Sequence, residues 1–267
     1  MAVRSALIHV MAAAALKAAR GLIRDFGEVE QLQVSIKGPG EFVSNADLKT
    51  ERILRTELQR ARPGYGFLME ESGAAAGSDP RHRWIVDPLD GTTNFLHGIP
   101  FFAISIALER DGEIVAGVVY EPIRDEMFWA EKGIGAYVNE RRLRVSSRRR
   151  LADAVIGTGM PFLEKGDHRA YLATLAPVMA ATSGVRRIGA ASLDLAYVAA
   201  GRLDGFWEFG LSPWDIAAGL LLVREAGGYA TDFAGAHGLP ASGDVLAAND
   251  QLHPALMQLM TEALRPK

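Results

Sequence analysis

The chain has 267 residues, of which 49% are hydrophobic and 23% are charged, a composition typical of a globular protein and unlike that of a disordered one. Its net charge of −3 gives no general attraction to nucleic acid or anionic membranes, so either contact would need a local basic patch. The absence of cysteine excludes disulfides, thiolate metal ligands and cysteine nucleophiles; it is typical of a reducing compartment, and we expect a cytoplasmic protein.

The first predicted element is a helix near the N-terminus. Arg4 followed by the apolar stretch VMAAAAL resembles the core of a signal peptide. Apolar residues recur at helical spacing from Leu7 to Leu22, however, while Lys17 and Arg24 fall on another face, so an amphipathic helix explains the segment better. We find no apolar run of the ~20 residues that cross a bilayer, and we expect no contact with a membrane.

The remainder of the first half is predicted to hold one helix and several strands. The helix runs from Leu48 to Arg60, and a short strand follows from Tyr65 to Met69. Residues 73–82 are predicted to form a loop, and the next strand covers Trp84 to Val86. Three β-like runs between Phe101 and Asn139, separated by turn-forming residues, predict an antiparallel meander.

The second half alternates strands with helices, which is typical of an α/β fold. Strands are predicted near Val155, Arg186 and Phe206. The predicted helices cover residues 168–181, 190–200, 213–226 and 252–264. Because the pattern changes near residues 141–152, we divide the chain into an N-terminal α+β half, residues 1–145, and a C-terminal α/β half, residues 146–267, packed together as one catalytic unit.

Acidic residues follow apolar strands or begin helices at several points of the chain. The stretch WIVDPLDGTTNF, residues 84–95, carries two of them directly behind an apolar run. Strand C-termini and helix N-termini converge in α/β folds, so these carboxylates can reach one pocket. Together they would repel severely without bound cations. The acids concerned are Asp47, Glu70, Glu71, Asp87, Asp90 and Asp215.

Each of these acids also has a purely structural interpretation. Ser44-Asn45-Ala46-Asp47 and Ser212-Pro213-Trp214-Asp215 match helix starts with a capping hydroxyl and an acid three residues later. Asp87-Pro88-Leu89-Asp90-Gly91 matches a tight turn, and Glu70-Glu71 a solvated loop. Only their combination, with Thr92 close by, favours a cation site. Carboxylate, hydroxyl and carbonyl oxygens suit magnesium, and the six histidines lack the H-x-H or H-x-x-x-H spacing typical of zinc ligands.

The motif DPLDGTTNF, with MEES upstream and PWDIAAG downstream, resembles the inositol monophosphatase family, which comprises lithium-sensitive, magnesium-dependent phosphatases. The resemblance covers nearly the whole chain and is strongest to bacterial members of extragenic suppressor type. It implies a five-layer αβαβα sandwich, a homodimer, and hydrolysis of myo-inositol 1-phosphate or a similar small polyol phosphate by activated water, with two or three Mg²⁺ ions per site. Relatives in the wider fold act on fructose 1,6-bisphosphate, histidinol phosphate or 3′-phosphoadenosine 5′-phosphate, and these esters stay as alternatives.

The resemblance also implies the metal ligands. Glu70, Asp87, the Leu89 carbonyl and Thr92 resemble the ligands of a first ion. Asp87, Asp90 and Asp215 resemble those of a second ion, with Asp87 bridging the two. Glu70 resembles a ligand of a third, weaker ion.

Catalytic and substrate-binding roles are implied in the same way. Asp47, Thr92 and Glu70 match the residues that orient and activate the attacking water. The positions that match contacts to phosphate or to the alcohol are Lys37, Asp90, Gly91, Thr92, Gly189, Ala191 and Glu208. A strand-edge carboxylate is the structural alternative for Glu208, and close helix packing is the alternative for the small residues.

Other patterns fit less well or imply a different class of function. The spacing of Asp87 and Asp90 differs from the D-x-D of haloacid-dehalogenase phosphatases, and Gly157-Thr158-Gly159 lacks the third glycine of a dinucleotide fingerprint, so we interpret it as a strand-end turn. The run RRLRVSSRRR, residues 141–150, holds six arginines and indicates an RNA- or protein-binding regulator as an alternative. No aromatic residue interleaves these arginines, so a solvated loop is the structural explanation.

Overall fold

The computed structural model describes residues 4–28, 34–38, 41–163 and 165–265, with backbone alone for residues 34–38 and 41–43. Two long helices begin the chain, α1 at Ala6–Phe26 and α2 at Asn45–Ala61, and between them β1, Val34–Gly38, pairs with β2, Glu41–Ser44. The prediction of a first amphipathic helix is confirmed. The predicted helix at Leu48–Arg60 is also confirmed, although it begins three residues earlier because Ser44 caps it.

The larger sheet is mixed and has the strand order β10-β9-β8-β7-β6-β5-β3-β4. β3 and β5 run parallel, and the other pairs are antiparallel. Its strands are β3 Tyr65–Met69, β4 Gly73–Ala75, β5 Asp79–Asp90, β6 Ala103–Arg110, β7 Glu113–Glu121, β8 Glu126–Glu131, β9 Gly135–Val138 and β10 Arg141–Arg142.

The second sheet has the order β12-β11-β13-β15-β14. β11 is parallel to both of its neighbours, whereas β15 is antiparallel to β13 and β14. Its strands are β11 Val155–Thr158, β12 Gly184–Arg186, β13 Gly205–Glu208, β14 Tyr229–Thr231 and β15 Val245–Ala248. The remaining helices are α3 Thr92–Leu96, α4 His168–Ala181, α5 Ala191–Ala199, α6 Pro213–Glu225 and α7 Leu252–Ala263.

Helices and sheets stack in five layers. α1 and α2 cover the outer face of the larger sheet, α5 and α6 lie between the two sheets, and α4 and α7 cover the far face of the second sheet. Three apolar cores hold the layers together: one lies beneath α1 and α2, one surrounds α5 and α6 between the two sheets, and one lies beneath α4 and α7. β5 is buried on both faces, since Trp84 and Val86 enter the core beneath α1 while Ile85 enters the core beneath α6. The chain therefore has the αβαβα architecture that the resemblance implied.

Several details differ from the sequence prediction. The predicted loop at residues 73–82 contains β4 and the start of β5, and the strand expected at Trp84–Val86 extends from Asp79 to Asp90. The third run of the predicted meander forms two strands, β8 and β9. The strands that were not predicted are β1, β2, β10, β14 and β15. α1 is long and apolar enough by composition to cross a membrane, contrary to our reading of the sequence, yet its apolar face packs against α2 and the larger sheet, and residues such as Met11, Ala15 and Leu22 are fully buried.

Candidate active site

One polar cavity of about 210 Å³ lies where strand ends and helix starts meet. Glu70 follows the last residue of β3, Glu208 ends β13, and Asp215 lies in the first turn of α6. Asp90 ends β5 and enters the cavity beside them. The cavity is lined by Glu70, Asp90, Gly91, Thr92, Thr93, Gly159, Met160, Phe162, Lys165, Arg187, Gly189, Ala190, Ala191, Glu208, Leu211 and Asp215.

A β-bulge at the end of β5 brings Asp90 to the cavity wall, while Asp87, which is 2% exposed, lies behind that wall against Glu70. Asp87 pairs with Ser105 and Asp90 with Ala103, so three steps along β5 oppose two steps along β6. Pro88 lies in this bulge, where a residue without an N–H group is tolerated. The Leu89 N–H group donates to Asp87 Oδ1 at 2.8 Å. The segment is therefore a bulged strand end, and the interpretation of 87–91 as an ordinary tight turn is wrong.

Two of the aspartates also cap helices. Ser44 N–H and Oγ donate to Asp47 Oδ2 at 2.8 and 2.6 Å, and Ser212 N–H donates to Asp215 Oδ2 at 2.7 Å. Both predicted capping boxes are therefore present. Each capping box uses one carboxylate oxygen of its aspartate and so fixes the rotamer of that side chain. Asp47 Oδ1 meanwhile accepts a hydrogen bond from Thr92 Oγ1 at 3.1 Å, so the structural and the functional interpretations apply to different oxygens of one residue.

Asp90 is held from the other side of the cavity, by the start of α5. Ser192 donates to Asp90 Oδ2 from its backbone N–H at 2.7 Å and from Oγ at 2.5 Å. Burial raises the pKa of Asp90 to about 6, although the hydrogen bonds from Ser192 oppose that rise. Ser192 is itself fully buried. Sequence reasoning missed it, because nothing in GAASLDLAYVAAG distinguishes it from a packing residue.

The carboxylates repel one another strongly. Burial, followed by the charges of Glu70, Asp90 and Asp215, raises the pKa of Asp87 well above its ordinary value. Burial and the charge of Asp90 do the same to the pKa of Asp215. The Glu70 side chain is also hydrogen-bonded to Asp87, which two ionised carboxylates do not do. Without a cation, this cluster must therefore retain protons.

Glu51 fixes the strand end that carries Glu70. Its Oε2 accepts a hydrogen bond from the Glu71 N–H at 2.8 Å, although Glu51 lies on α2, twenty residues earlier. Glu51 is buried, and the sequence offered no signal for it. Because its partner is a backbone amide, Glu51 sets the course of the chain at Glu70 without entering the cavity.

The substrate side of the cavity holds a second acidic group. Glu208 is half-buried in the cavity wall, and desolvation followed by the Asp90 charge raises the pKa of Glu208 to about 8, while Arg187 opposes the rise. Behind it lies Asp194 on α5, whose Oδ1 is buried without a hydrogen-bond partner; burial and the Glu208 charge raise the pKa of Asp194 well above its ordinary value. Sequence reasoning did not identify Arg187 or Asp194.

The glycines of Gly157-Thr158-Gly159 make room for these acids. A Cβ atom on Gly159 would lie 1.8 Å from Glu208 Oε1, and one on Gly157 would lie 3.0 Å from Asp194 Oδ1. Thr158 ends β11, so the interpretation as a strand end is right. A methyl group at either position would force side chains of α5, of β13 or of the segment between them to shift.

The oxygen-rich lining fits a hard cation. Glu70, Asp90 and Asp215 supply oxygen donors from the wall, the buried Asp87 and the Leu89 carbonyl lie behind it, and no cysteine or histidine lines the described part of the cavity. The mutual repulsion of these acids and the hydrogen bond between two carboxyl groups are what a divalent cation would relieve. Among residues 4–28, 44–163 and 165–265, no three acidic or histidine side chains stand close enough to hold an ion together, and magnesium usually completes its shell with water and phosphate oxygens.

The remaining predicted site residues are placed as follows. Gly91, Gly189 and Ala191 line the cavity, and Gly91 has a φ of +92°, where a side chain would press on the Phe101 carbonyl. Lys37 falls in β1, but its side chain lies outside the described residues. His97 is the C-cap of α3.

The arginine run lies on the surface, away from the cavity. All six arginines are exposed. Arg148 pairs with the buried Asp204 at 3.0 Å, and Arg150 pairs with Asp153 at 2.8 Å. These two arginines therefore have structural partners, and the remaining ones extend from β10 and the following segment.

Comparison with known proteins agrees with this geometry. A sequence profile described as the inositol monophosphatase family matches residues 4–265. The inositol-1-monophosphatase of Mesorhizobium japonicum is 62% identical over 261 residues, covering 98% of each chain. The Nus factor SuhB of Pseudomonas aeruginosa is 42% identical over 266 residues, covering 97% of each chain.

Among solved structures, the extragenic suppressor protein suhB from Bartonella henselae superposes with a TM-score of 0.94 at 58% identity, covering 97% of this chain and 99% of that one. The similarity thus extends through both sheets and through every segment that contributes an acid to the cavity. The chain belongs to the inositol monophosphatase family and is a phosphatase of that family.

Proposed function

We propose that this enzyme is a Mg²⁺-dependent phosphomonoesterase that hydrolyses myo-inositol 1-phosphate, or a similar small polyol phosphate, by direct attack of water. The observation that carries the proposal is the cluster of the buried Asp87 and Asp90 with the half-buried Glu70 and Asp215, beside the hydrogen-bonded pair Asp47 and Thr92. When bound there, Mg²⁺ would supply Lewis-acid stabilisation of the phosphate and of the departing alkoxide.

The residues that would hold the ions are Glu70, Asp87, Asp90, Asp215 and the Leu89 carbonyl. For three of the four acids, a backbone or serine donor already fixes one oxygen: Leu89 N–H for Asp87, Ser192 for Asp90 and Ser212 N–H for Asp215. Such outer hydrogen bonds orient ligands and strengthen metal binding. Two or three ions per site would be consistent with this many carboxylates.

Asp47 and Thr92 would hold the attacking water. The Thr92 hydroxyl has one proton and two acceptors within reach, Asp47 Oδ1 at 3.1 Å and the Leu89 carbonyl at 3.0 Å. Its oxygen lone pairs therefore stay available to accept from a water molecule. Asp47 is fully buried, and burial raises the pKa of its carboxyl, which favours proton uptake through Thr92. Glu70 completes this catalytic set.

Phosphate and alcohol would bind in the same cavity, next to the groups that hold the water. The backbone amides of Gly91 and Thr92 at the start of α3 would cradle the phosphate, and Lys37 is proposed as a further phosphate contact. Asp90 and Glu208 would accept hydrogen bonds from hydroxyl groups of the alcohol, beside Gly189 and Ala191. Fructose 1,6-bisphosphate, histidinol phosphate and 3′-phosphoadenosine 5′-phosphate are the alternative substrates.

A panel of these esters tests the proposal. We expect phosphate release from myo-inositol 1-phosphate with MgCl₂, none with EDTA, and inhibition by LiCl. Faster release from another ester of the panel would reassign the substrate while keeping the enzyme class. Turnover that persists in EDTA would contradict the metal-dependent mechanism, and trapping of a phosphoaspartate at Asp87 would contradict direct attack by water.

A second candidate function is regulation through RNA or protein binding by the 141–150 run. It is favoured by the exposure of the run and by the relatives named Nus factor SuhB. We expect Arg141→Gln/Arg144→Gln/Arg149→Gln to abolish salt-dependent RNA binding while phosphatase activity persists. The matched control is Arg150→Gln, whose side chain pairs with Asp153. RNA affinity equal in the triple variant and in the parent would dismiss this candidate.

Three further expectations stay proposals. We place the boundary between the two halves near residue 145, after β10 ends the larger sheet and before β11 begins the second. We also propose a homodimer, for which the exposed Leu172 and Met179 on α4 provide an apolar face, and sedimentation analysis tests it. A cytoplasmic location is the third, and it agrees with the cysteine-free composition.

A further inference from the structure

A second polar cavity, which we call the distal cleft, lies at the opposite end of β5 from the acidic cavity. Its volume of about 200 Å³ is close to that of the acidic cavity. His82 lies eight residues before Asp90 on β5, which is roughly 26 Å along an extended strand. The distal cleft is therefore separate from the metal-binding acids. Three aliphatic side chains line it together with Arg62, Tyr65, His82, Arg110, Glu131 and Lys132.

Three cationic side chains line the distal cleft, and two of them have no ion-pair partner among the residues that the structure describes. These two are Arg110, which ends β6, and Arg62, the C-cap of α2. The Arg62 guanidinium donates to the Ala61 carbonyl at 2.8 Å, which uses one of its five N–H groups. The third cation, Lys132, pairs with Glu113 at 2.5 Å. The two arginines therefore keep donors and positive charge for an anionic ligand.

The ring of His82 is held in a fixed orientation between these cations. Its Nδ1 lies 2.8 Å from Asp79 Oδ2, and it stacks on Tyr65 with 4.3 Å between ring centroids and 5° between ring planes. Because an ionised carboxylate only accepts, Nδ1 carries the proton of the neutral ring and Nε2 is left as an acceptor. Arg110 is the cross-strand neighbour of His82, so both side chains lie on one face of the sheet. The distal cleft thus offers donors and an acceptor side by side.

Glu131 supplies a second acceptor. It ends β8, is half-buried, and has no ion-pair partner among the described residues. Its carboxylate opposes the binding of a bare anion, whereas it favours a molecule whose hydroxyl groups can donate to it. The lining therefore matches a ligand with an anionic group at one end and hydroxyl groups at the other.

We propose that the distal cleft binds a small hydroxylated phosphate ester, such as a sugar or polyol phosphate, outside the active site. Arg62 and Arg110 would contact the phosphate, and Glu131 and His82 Nε2 would accept hydrogen bonds from the hydroxyl groups. Both the charges and the hydrogen-bonding groups of the lining complement such a ligand. The proposal goes beyond the phosphatase function and does not depend on it.

Calorimetric titration in EDTA with two probes, inorganic phosphate and myo-inositol 1-phosphate, tests the proposal. Without a cation, the acids of the active site repel both probes. We expect myo-inositol 1-phosphate to bind about ten-fold more tightly than inorganic phosphate, because its hydroxyl groups add charge-assisted hydrogen bonds. Arg110→Gln should weaken the binding of both probes by about five-fold. The matched control is Arg60→Gln, which removes the same charge from an exposed arginine that does not border the distal cleft.

Glu131→Gln should affect the two probes differently. Loss of the negative charge should strengthen the binding of inorganic phosphate by about three-fold, while the preference for myo-inositol 1-phosphate should fall to about three-fold or less. An unchanged preference in this variant would contradict recognition of the hydroxyl groups.

Three results would overturn the distal cleft as a binding site: no binding of either probe to the parent protein, affinities that Arg110→Gln leaves unchanged, or equal losses in Arg110→Gln and Arg60→Gln. Turnover with MgCl₂ is measured separately, so failure of the phosphatase proposal is distinguishable from failure of this one. Inorganic phosphate has no ester bond to hydrolyse, and its titrations report on the site even if the enzyme were active in EDTA.

Discussion

Ser192 donates two hydrogen bonds to the same oxygen of Asp90, one from its backbone at 2.7 Å and one from its hydroxyl at 2.5 Å. The backbone bond comes from the fold of α5, whereas the hydroxyl bond depends on the identity of the side chain. The buried Ser192 therefore helps to set the orientation of the Asp90 carboxylate in the cavity.

We therefore expect Ser192→Ala to weaken divalent-ion binding by about ten-fold, because loss of an outer hydrogen bond leaves a metal ligand less well oriented. Calorimetric titration with Mn²⁺ measures this without substrate. Ser192→Thr keeps the hydroxyl and is the matched control. Equal Mn²⁺ affinity of Ser192→Ala and the parent protein would rule out the orienting role.

Replacing Asp87 or Asp215 by asparagine should separate charge from structure. The asparagine oxygen can still accept from Leu89 N–H or Ser212 N–H, so the fold is retained. Turnover should fall by orders of magnitude, since a charged metal ligand is lost. In EDTA the melting temperature should rise, because one repelling carboxylate is removed. Near-normal turnover in either variant would contradict the assignment of that aspartate as a metal ligand.

The metal-free enzyme should lose stability as pH rises. The pKa of Asp90 is raised from 3.8 to about 6 and that of Glu208 from 4.5 to about 8. A group with a raised pKa in the folded state stabilises the fold below its unfolded pKa, and that contribution disappears as pH passes the folded value. Melting temperatures in EDTA should thus decline between about pH 4 and pH 8.

Added MgCl₂ should flatten this decline, since the ionised carboxylates are the metal-binding form and Mg²⁺ stabilises the folded state most where they are ionised. Paired melting curves with EDTA and with MgCl₂ across the same range measure the difference. A melting temperature in EDTA that rises steadily over this interval would contradict the raised pKa values.

Gly159→Ala should impair recognition of the alcohol. Its Cβ would lie 1.8 Å from Glu208 Oε1, so the Glu208 carboxylate must move. We expect KM for myo-inositol 1-phosphate to rise by about five-fold or more while kcat changes less, because a contact to the alcohol is lost and the metal ligands stay in place. Gly21→Ala in α1 is the control, since a Cβ there meets nothing within 4 Å. An unchanged KM in Gly159→Ala would contradict the proposal that Glu208 contacts the alcohol.

Much of the site was predictable, because its acids lie at points that local sequence marks. Asp47 and Asp215 follow capping serines, and Asp87 and Asp90 follow a buried strand with a proline at the bulge. The major helices and strands were likewise predictable from periodicity and turn residues.

Other parts depend on contacts between distant segments. Ser192 meets Asp90 across 102 positions of sequence, and Glu51 meets Glu71 across 20. A side chain at Gly159 would displace Glu208, which lies on another strand. β14 and β15, at three and four residues, are too short to show an alternating pattern. Nothing local marks such residues, since their roles arise only when the layers assemble.

The dual use of Asp47 and Asp215 has a consequence for how such a protein diverges. Each aspartate closes the first turn of a helix, so a descendant that abandoned catalysis would still be under selection to keep it for folding. Ser192 and Gly159 do not cap a helix, so selection for helix capping does not act on them. In a lineage that loses catalysis and keeps only a regulatory role, we expect substitutions at these two positions before substitutions at Asp47 and Asp215.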